Sequence, residues 1–260
     1  MSRSQPDLTN PAQHFLKWSG SKGTLAWWNK DLKVEVPVKL PFKFLVLDEL
    51  ATITGYSDQD SSGYWSNEVR SVAREELHVK TAKGTKQVGL YKDLADVRSK
   101  GAKYAKSVYI AHKVGDDYVI GNIKVSGAAL TSWIELSGAH KVQNGKVTLT
   151  GSTEGTKGAT TFKIPTFEYD HADDEENAVA IKLDRELQIY LSQYFAATQP
   201  NHVEAAEDGE LDYNLIDEQT VYNNMAEHEA KQEAPAWENG KIDAKDIDID
   251  GAPLELPAGW

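Results

Sequence analysis

Up to about Phe167 the chain alternates between hydrophobic and polar positions in short stretches, the pattern of half-buried β-strands. From Leu25 to Pro41 the residues Val34, Val36, Val38 and Leu40 fall on one face. They follow a turn at Asn29-Lys30-Asp31, so the segment predicts a hairpin. Phe42 to Thr54 is an aromatic and β-branched run that reads as a long core strand, ending at Gly55-Tyr56 and a polar loop from Ser57 to Gly63. Glu75 to Thr81 alternates around Leu77 and Val79, and Lys86 to Tyr91 around Val88 and Leu90, with Lys83-Gly84-Thr85 as the turn between them. Lys92 to Lys106 has mixed periodicity and predicts a short helix or irregular connector. Ser107–Lys113 and Tyr118–Val125 predict two further strands joined at Gly115-Asp116-Asp117, and Lys146–Gly151 pairs with Thr160–Phe167 across a Gly-rich loop.

Two segments carry a helical period instead. Ser126 to Leu136 predicts a short helix that Ser126 can cap and Gly138 can end. Asn177 to Ala196 is the clearest helix, with Leu183, Leu187, Leu191 and Phe195 at four-residue spacing. Seven or eight short strands with one inserted helix and one C-terminal helix suit a small antiparallel barrel, closed or partly closed, with added hairpins. A β-sandwich uses the same elements.

After Pro200 apolar periodicity disappears. Residues 1–200 therefore read as one β-rich domain and residues 201–260 as a disordered acidic tail, too poor in large apolar residues to offset chain entropy. Charge sharpens that division. The tail holds 16 acids against three lysines, so the formal net charge of −12 for the whole chain hides a body near neutrality. Residues 1–167 alone carry 23 bases and 16 acids, a net of +7. A basic body with an acidic appendage points to nucleic acid or to an electrostatically tethered tail. Near the end of the tail, Ile247, Ile249, Leu254, Leu256 and Trp260 stand among carboxylates. Asp246, Asp248, Asp250 and Trp260 are the candidate partner-docking residues, apolar anchors and acids suited to a basic-rimmed pocket. Asp246-x-Asp248-x-Asp250-Gly251 opens like a calcium loop, but its twelfth position is Pro257 instead of a bidentate Glu, which excludes that reading.

Catalytic patterns are missing. The chain contains no phosphate-cradling P-loop, no Gly-x-Gly-x-x-Gly after a strand and no Gly-x-Ser-x-Gly elbow. Its seven histidines include no pair spaced to share a metal from one helix face, and without cysteine there is no thiolate chemistry. The carboxylates from Asp170 to Glu176 precede the Asn177 helix, where negative charge favours the helix N-terminus. The expectation is a non-enzymatic protein with no cofactor and no metal. No apolar run approaches a membrane span, and Met1 to Gly20 lacks the apolar core of a secretory signal, so the chain reads as cytoplasmic.

The remaining pattern is bases interleaved with aromatics. Lys17-Trp18, Lys22, Trp27-Trp28 and Lys30 come first, then Tyr56, Tyr64, Trp65, Arg70 and Arg74, then Tyr91-Lys92, Arg98, Lys100, Lys103, Tyr104 and Lys106. Single-stranded nucleic acid binds where cations track phosphates and ring faces stack on bases. Charge and aromaticity select Tyr56, Tyr64, Trp65, Arg70, Arg98, Lys100, Lys103, Tyr104 and Lys106 as candidate binding residues. About half of the aromatics are expected in the core.

The stretches Phe44–Tyr56, Gly63–Arg70 and Asp93–Lys106 resemble a family of tailed-bacteriophage early proteins, over approximately Pro11 to Ala196. The plan of a barrel with an acidic tail ending in an aromatic resembles phage and bacterial single-stranded DNA-binding proteins. That resemblance implies an OB-fold-like barrel, sequence-independent binding of single-stranded DNA in replication or recombination, and a tail that recruits replication and repair enzymes. The tip departs from the bacterial pattern, ending Pro-Ala-Gly-Trp where that pattern has an acidic run followed by Ile-Pro-Phe. The alternatives are a protein-interaction or virion-assembly module and, third, a metal-dependent nuclease.

Overall fold

Eleven strands and three α-helices follow one another along residues 9–157 and 159–198, the part of the chain that the computed structural model describes. They are β1 (His14–Ser19), β2 (Thr24–Asn29), β3 (Val34–Pro37), β4 (Phe42–Ser57), β5 (Ser62–Trp65), β6 (Leu77–Thr81) and β7 (Gly84–Gly89), then α1 (Ala95–Ser99), β8 (Ala102–Val114), β9 (Asp117–Ser126), α2 (Ala128–Ala139), β10 (Gly145–Lys157), β11 (Thr160–His171) and α3 (Asp174–Thr198). The chain divides into two units. Apart from the hairpin tip Thr156–Thr161, which falls in the second, all of these elements belong to the first.

The strands form one sheet in the order β3-β2-β1-β9-β8-β4-β5-β6-β7, with β10 on β4 and β11 on β10. The branch lies in β4: β8 runs along one edge, while on the other β10 takes the N-terminal half (Phe44 opposite Val147) and β5 the C-terminal end (Gly55 opposite Tyr64). The β-rich fold expected from the pattern is present, as an open, mixed sheet with a few helices. Its path does not close among the described residues, and β1 runs parallel to β9, with Leu16 opposite Ile123. Alternation reports which residues share a face but not which way a neighbouring strand runs, so this pairing left no trace in the pattern.

Helices and the β10–β11 hairpin cover both faces of the central strands. On one side Trp133 of α2 packs with Phe44, Val46, Val108, Ile110, Ile123 and Val147. On the other, Leu187 and Leu191 of α3 pack on Leu45, Leu47, Leu50, Tyr109, Ala111 and Ile120. Burial on both faces explains why β4 and β8 read as continuous apolar runs. A bulge between Val46 and Asp48 inserts Leu47 and reverses the alternation. Glu49 thereby takes the α2 side, where Trp133 Nε1 donates to it at 3.2 Å, and Asp48, Leu50, Thr52, Thr54 and Tyr56 take the α3 side.

Several local expectations hold and several move. The β2–β3 hairpin forms, and the Asn29 side chain accepts from the backbone N–H groups of Asp31 and Leu32, both at 3.0 Å. α3 begins three residues earlier than its apolar period, because Asp173 and Glu176 form a reciprocal capping box: Glu176 N donates to Asp173 Oδ1 at 2.8 Å and Asp173 N to Glu176 Oε2 at 3.1 Å. Ser126 does not cap α2. It is the last residue of β9, Gly127 with φ 55° makes the corner, and Gly138 lies inside the helix. The polar loop ends early, since Ser62 to Trp65 is strand β5. The connector also ends early, since β8 starts at Ala102 and takes Lys103, Tyr104 and Lys106 into the sheet.

Candidate nucleic-acid interface

The apolar contacts of α3 stop at Leu50, Tyr109 and Ile120. Beyond them the same face continues along the C-terminal part of β4, the N-terminal part of β8 and the neighbouring strands. Register fixes its members, because residues directly opposite one another share a face. Lys103 stands opposite Thr54, Thr54 opposite Trp65, and Trp65 opposite Lys80, so one row crosses β8, β4, β5 and β6. Tyr56 follows Thr54 by two positions on the same face. A second row starts at Leu50 and runs through Ser107, Lys124 and Lys17 to Ala26, across β4, β8, β9, β1 and β2. Between the rows lie Thr52 and Ala105, small and buried. Four lysines and two rings flank this strip, which is itself covered, since Glu68 reaches over it to accept from Ser107 Oγ. Trp65 keeps 42% of its surface exposed. On the flank, Phe15 (51% exposed) and Trp28 (58%) belong to this face as well.

Of the nine candidate binding residues, Tyr56, Trp65 and Lys103 are brought together here. The others are not. Tyr64 is 5% exposed on the opposite side of β5, because strand alternation turns it inward when Trp65 turns out. Tyr104 and Lys106 lie opposite Ile53 and Ala51 on the α2 side of the sheet. There Tyr104 meets Tyr91 edge-on at 5.7 Å between ring centres, and Lys106 Nζ lies 3.3 Å from Glu49 Oε2. Arg98 places its guanidinium 4.5 Å from the centre of the Tyr91 ring. Lys100 pairs with Asp96 at 2.8 Å, a bond that raises its pKa. Arg70 fastens α3 to the sheet: it reaches Asp48 at 3.1 Å, Gln188 at 3.0 Å and the Phe195 ring at 5.2 Å. Asp246, Asp248, Asp250 and Trp260 lie outside the described residues.

Lys80, Lys124 and Phe15 are members of this face that the sequence pattern did not single out. Each is an isolated residue in an alternating strand, and only the register across strands gathers them. Lys124 is half-buried, and burial lowers its pKa; the Glu68 carboxylate opposes that shift and Lys17 reinforces it. Glu68 is itself engaged, accepting from Ser107 Oγ at 2.5 Å and from Tyr109 OH at 2.9 Å. Asn122 donates to Ser107 Oγ at 2.7 Å and Asn10 to Tyr109 OH at 3.0 Å, extending the network along the face itself. Burial, followed by the Glu68 charge, pushes the Tyr109 phenol well above its ordinary range. Among the described residues no three His, Asp or Glu side chains are grouped to hold a metal ion. No helix among the described residues is long and apolar enough to cross a membrane. Compared with known proteins, the chain matches no family model, no curated protein and no solved structure, so the face stands on its own residues.

Proposed function

We propose that this protein binds single-stranded DNA without sequence preference, across the α3-side face from Lys80 to Lys17. The observation that carries the reading is the direct cross-strand pairing of Trp65 with Lys80, an exposed ring beside a cation, in line with Lys103 and next to Tyr56. Stacking on an aromatic contributes about 1–3 kcal/mol per base and tolerates any base. Five inter-strand steps from β6 to β1 span about 24 Å, room for several nucleotides of an extended strand. The bases contribute through phosphate neutralisation, which is indifferent to sequence.

The reading needs an open face rather than a closed barrel, so an OB-fold-like closure is a finer proposal that it does not depend on. The acidic tail, with Asp246, Asp248, Asp250 and Trp260, is proposed to recruit replication or recombination proteins. Chemistry is no part of the reading, which assigns binding alone. A protein-interaction module is the second reading, favoured by the exposed Phe15, Trp28, Leu32 and Val34 around β1–β3. Filter binding with poly(dT) and a duplex competitor separates the two. Retention of the single strand, weakening log-linearly with salt by about 0.7 per phosphate contacted, supports DNA binding. No retention at low salt leaves the protein-interaction reading.

A further inference from the structure

His14 of β1 and His112 of β8 meet across β9, with His14 Nδ1 3.1 Å from His112 Nε2. Both rings lie on the α2 side of the sheet, since His14 shares its face with Leu16 and His112 stands opposite Phe44. Beneath them runs Gly121, the register partner of His14. A Cβ on Gly121 would lie 3.1 Å from His112 Nε2, so the glycine keeps the space beside that nitrogen open. Aromatic neighbours hold both rings in place: Trp27 packs on His14 at 4.2 Å between ring centres, and Phe42 on His112 at 5.4 Å. His112 is also hydrogen-bonded to the Lys113 backbone, the kind of partner that orients a metal-binding imidazole. His112 is buried and His14 half-buried, so solvent reaches the pair from the His14 side.

We infer that His14 Nδ1 and His112 Nε2 form a binding site for a divalent transition-metal ion of the copper, nickel or zinc class. With both rings neutral, one donates to the other, so a single proton lies between two aligned nitrogens. Both nitrogens become ligands once the donating ring carries its proton on its other nitrogen, a tautomer shift that neither gains nor loses a proton. Two bonds of about 2.0–2.1 Å to nitrogens 3.1 Å apart subtend about 100° at the ion, between the square and the tetrahedral angle. Imidazole suits copper, nickel and zinc, whereas magnesium and calcium take oxygen ligands. The described residues add no third His, Asp or Glu, so solvent completes the coordination. A bound ion would staple β1 to β8 over the backbone of β9. The inference goes beyond DNA binding and does not depend on it.

Thermal midpoints of the full chain with copper(II), nickel(II), zinc(II) or magnesium(II), in a buffer that does not chelate, test the site. At roughly a hundredfold excess over the dissociation constant, the wild type should gain about 5–10 °C with the transition metals. Copper should act at the lowest concentration, and magnesium should do nothing. His14→Gln and His112→Gln should each lose most of the gain. His14→Gln decides alone if His112→Gln fails to fold, because His14 is the less buried of the two. A gain of wild-type size in His14→Gln overturns the site, since the ion is then held by other groups such as the acidic tail. A wild type that gains nothing from any of the three transition metals overturns it as well. Poly(dT) retention is read separately: a failed metal site leaves the DNA reading standing, and a protein that retains no poly(dT) leaves the metal site standing.

Discussion

Tyr109 donates its hydroxyl to Glu68 at 2.9 Å and thereby ties β8 to the segment that follows β5, beneath the end of α3. The carboxylate cannot be left half-satisfied in a buried setting without cost. Tyr109→Phe removes one donor from an ionised acceptor and should lower unfolding free energy by about 1.5–3 kcal/mol. Urea denaturation measures it; a change within error would show that the bond contributes nothing net.

Trp65 and Tyr64 are adjacent in sequence and should respond oppositely to truncation. Trp65→Ala should leave stability nearly unchanged and weaken single-strand binding by about 1–3 kcal/mol, the value of one stack. Tyr64→Ala opens a cavity behind β5 and should cost about 3–5 kcal/mol of stability. Parallel denaturation and binding curves for the two variants check the assignment. Equal stability losses would contradict the inward and outward orientations given to them.

Acid should weaken the fold through His112. This buried ring lies with its Nε2 3.1 Å from Nδ1 of His14, and burial, then the neighbouring His14, lowers its pKa to about 4. The unfolded chain, with an ordinary imidazole, takes up the proton first. Stability therefore falls as pH drops from about 6.5 towards 4 and levels off below, a loss of roughly 3 kcal/mol. Urea midpoints across that range should show the slope, and His112→Gln should flatten it. An equal slope in that variant would place the titration elsewhere.

Gly55 and Gly101 approach too closely for any side chain. A Cβ on Gly55, whose φ is 136°, would lie 2.1 Å from the Gly101 carbonyl oxygen, and one on Gly101 would lie 2.4 Å from that of Tyr56. Gly55→Ala should destabilise by several kcal/mol, about 3 or more, since both contacts are with backbone that cannot swing away. A thermal midpoint near that of the wild type would show that the two strands can separate there.

How much of this was legible in the residues follows from the range over which each feature acts. The β2–β3 hairpin and α3 are local: Asn29 makes its own turn, and Leu187 and Leu191 mark their own buried stripe. The division between basic body and acidic tail is a matter of counting. Tyr64 and Trp65 differ by one position in a strand only four residues long, too short for alternation to reveal which points inward. Lys103, Tyr104 and Lys106 looked alike as connector residues. Their assignment to opposite faces depends on pairing with Thr54, Ile53 and Ala51, about fifty residues away, and on the Leu47 bulge that resets the parity of β4. Arg70 and Arg98 carried the right charge, but their partners Asp48 and Tyr91 are set by tertiary contact. The binding face was therefore legible as a composition and not as a surface.

Oligo(dT) titration of two paired variants tests that surface most directly. Trp65→Ala with Lys80→Met removes one positive charge from the α3-side face, while Arg98→Met with Lys100→Met removes two from the connector on the other side, so a general loss of charge would weaken the second pair more. The first pair should weaken binding at least tenfold and flatten the salt dependence, and the second should bind like the wild type. Loss of binding in the connector pair, with the Trp65–Lys80 pair unaffected, would contradict the assignment.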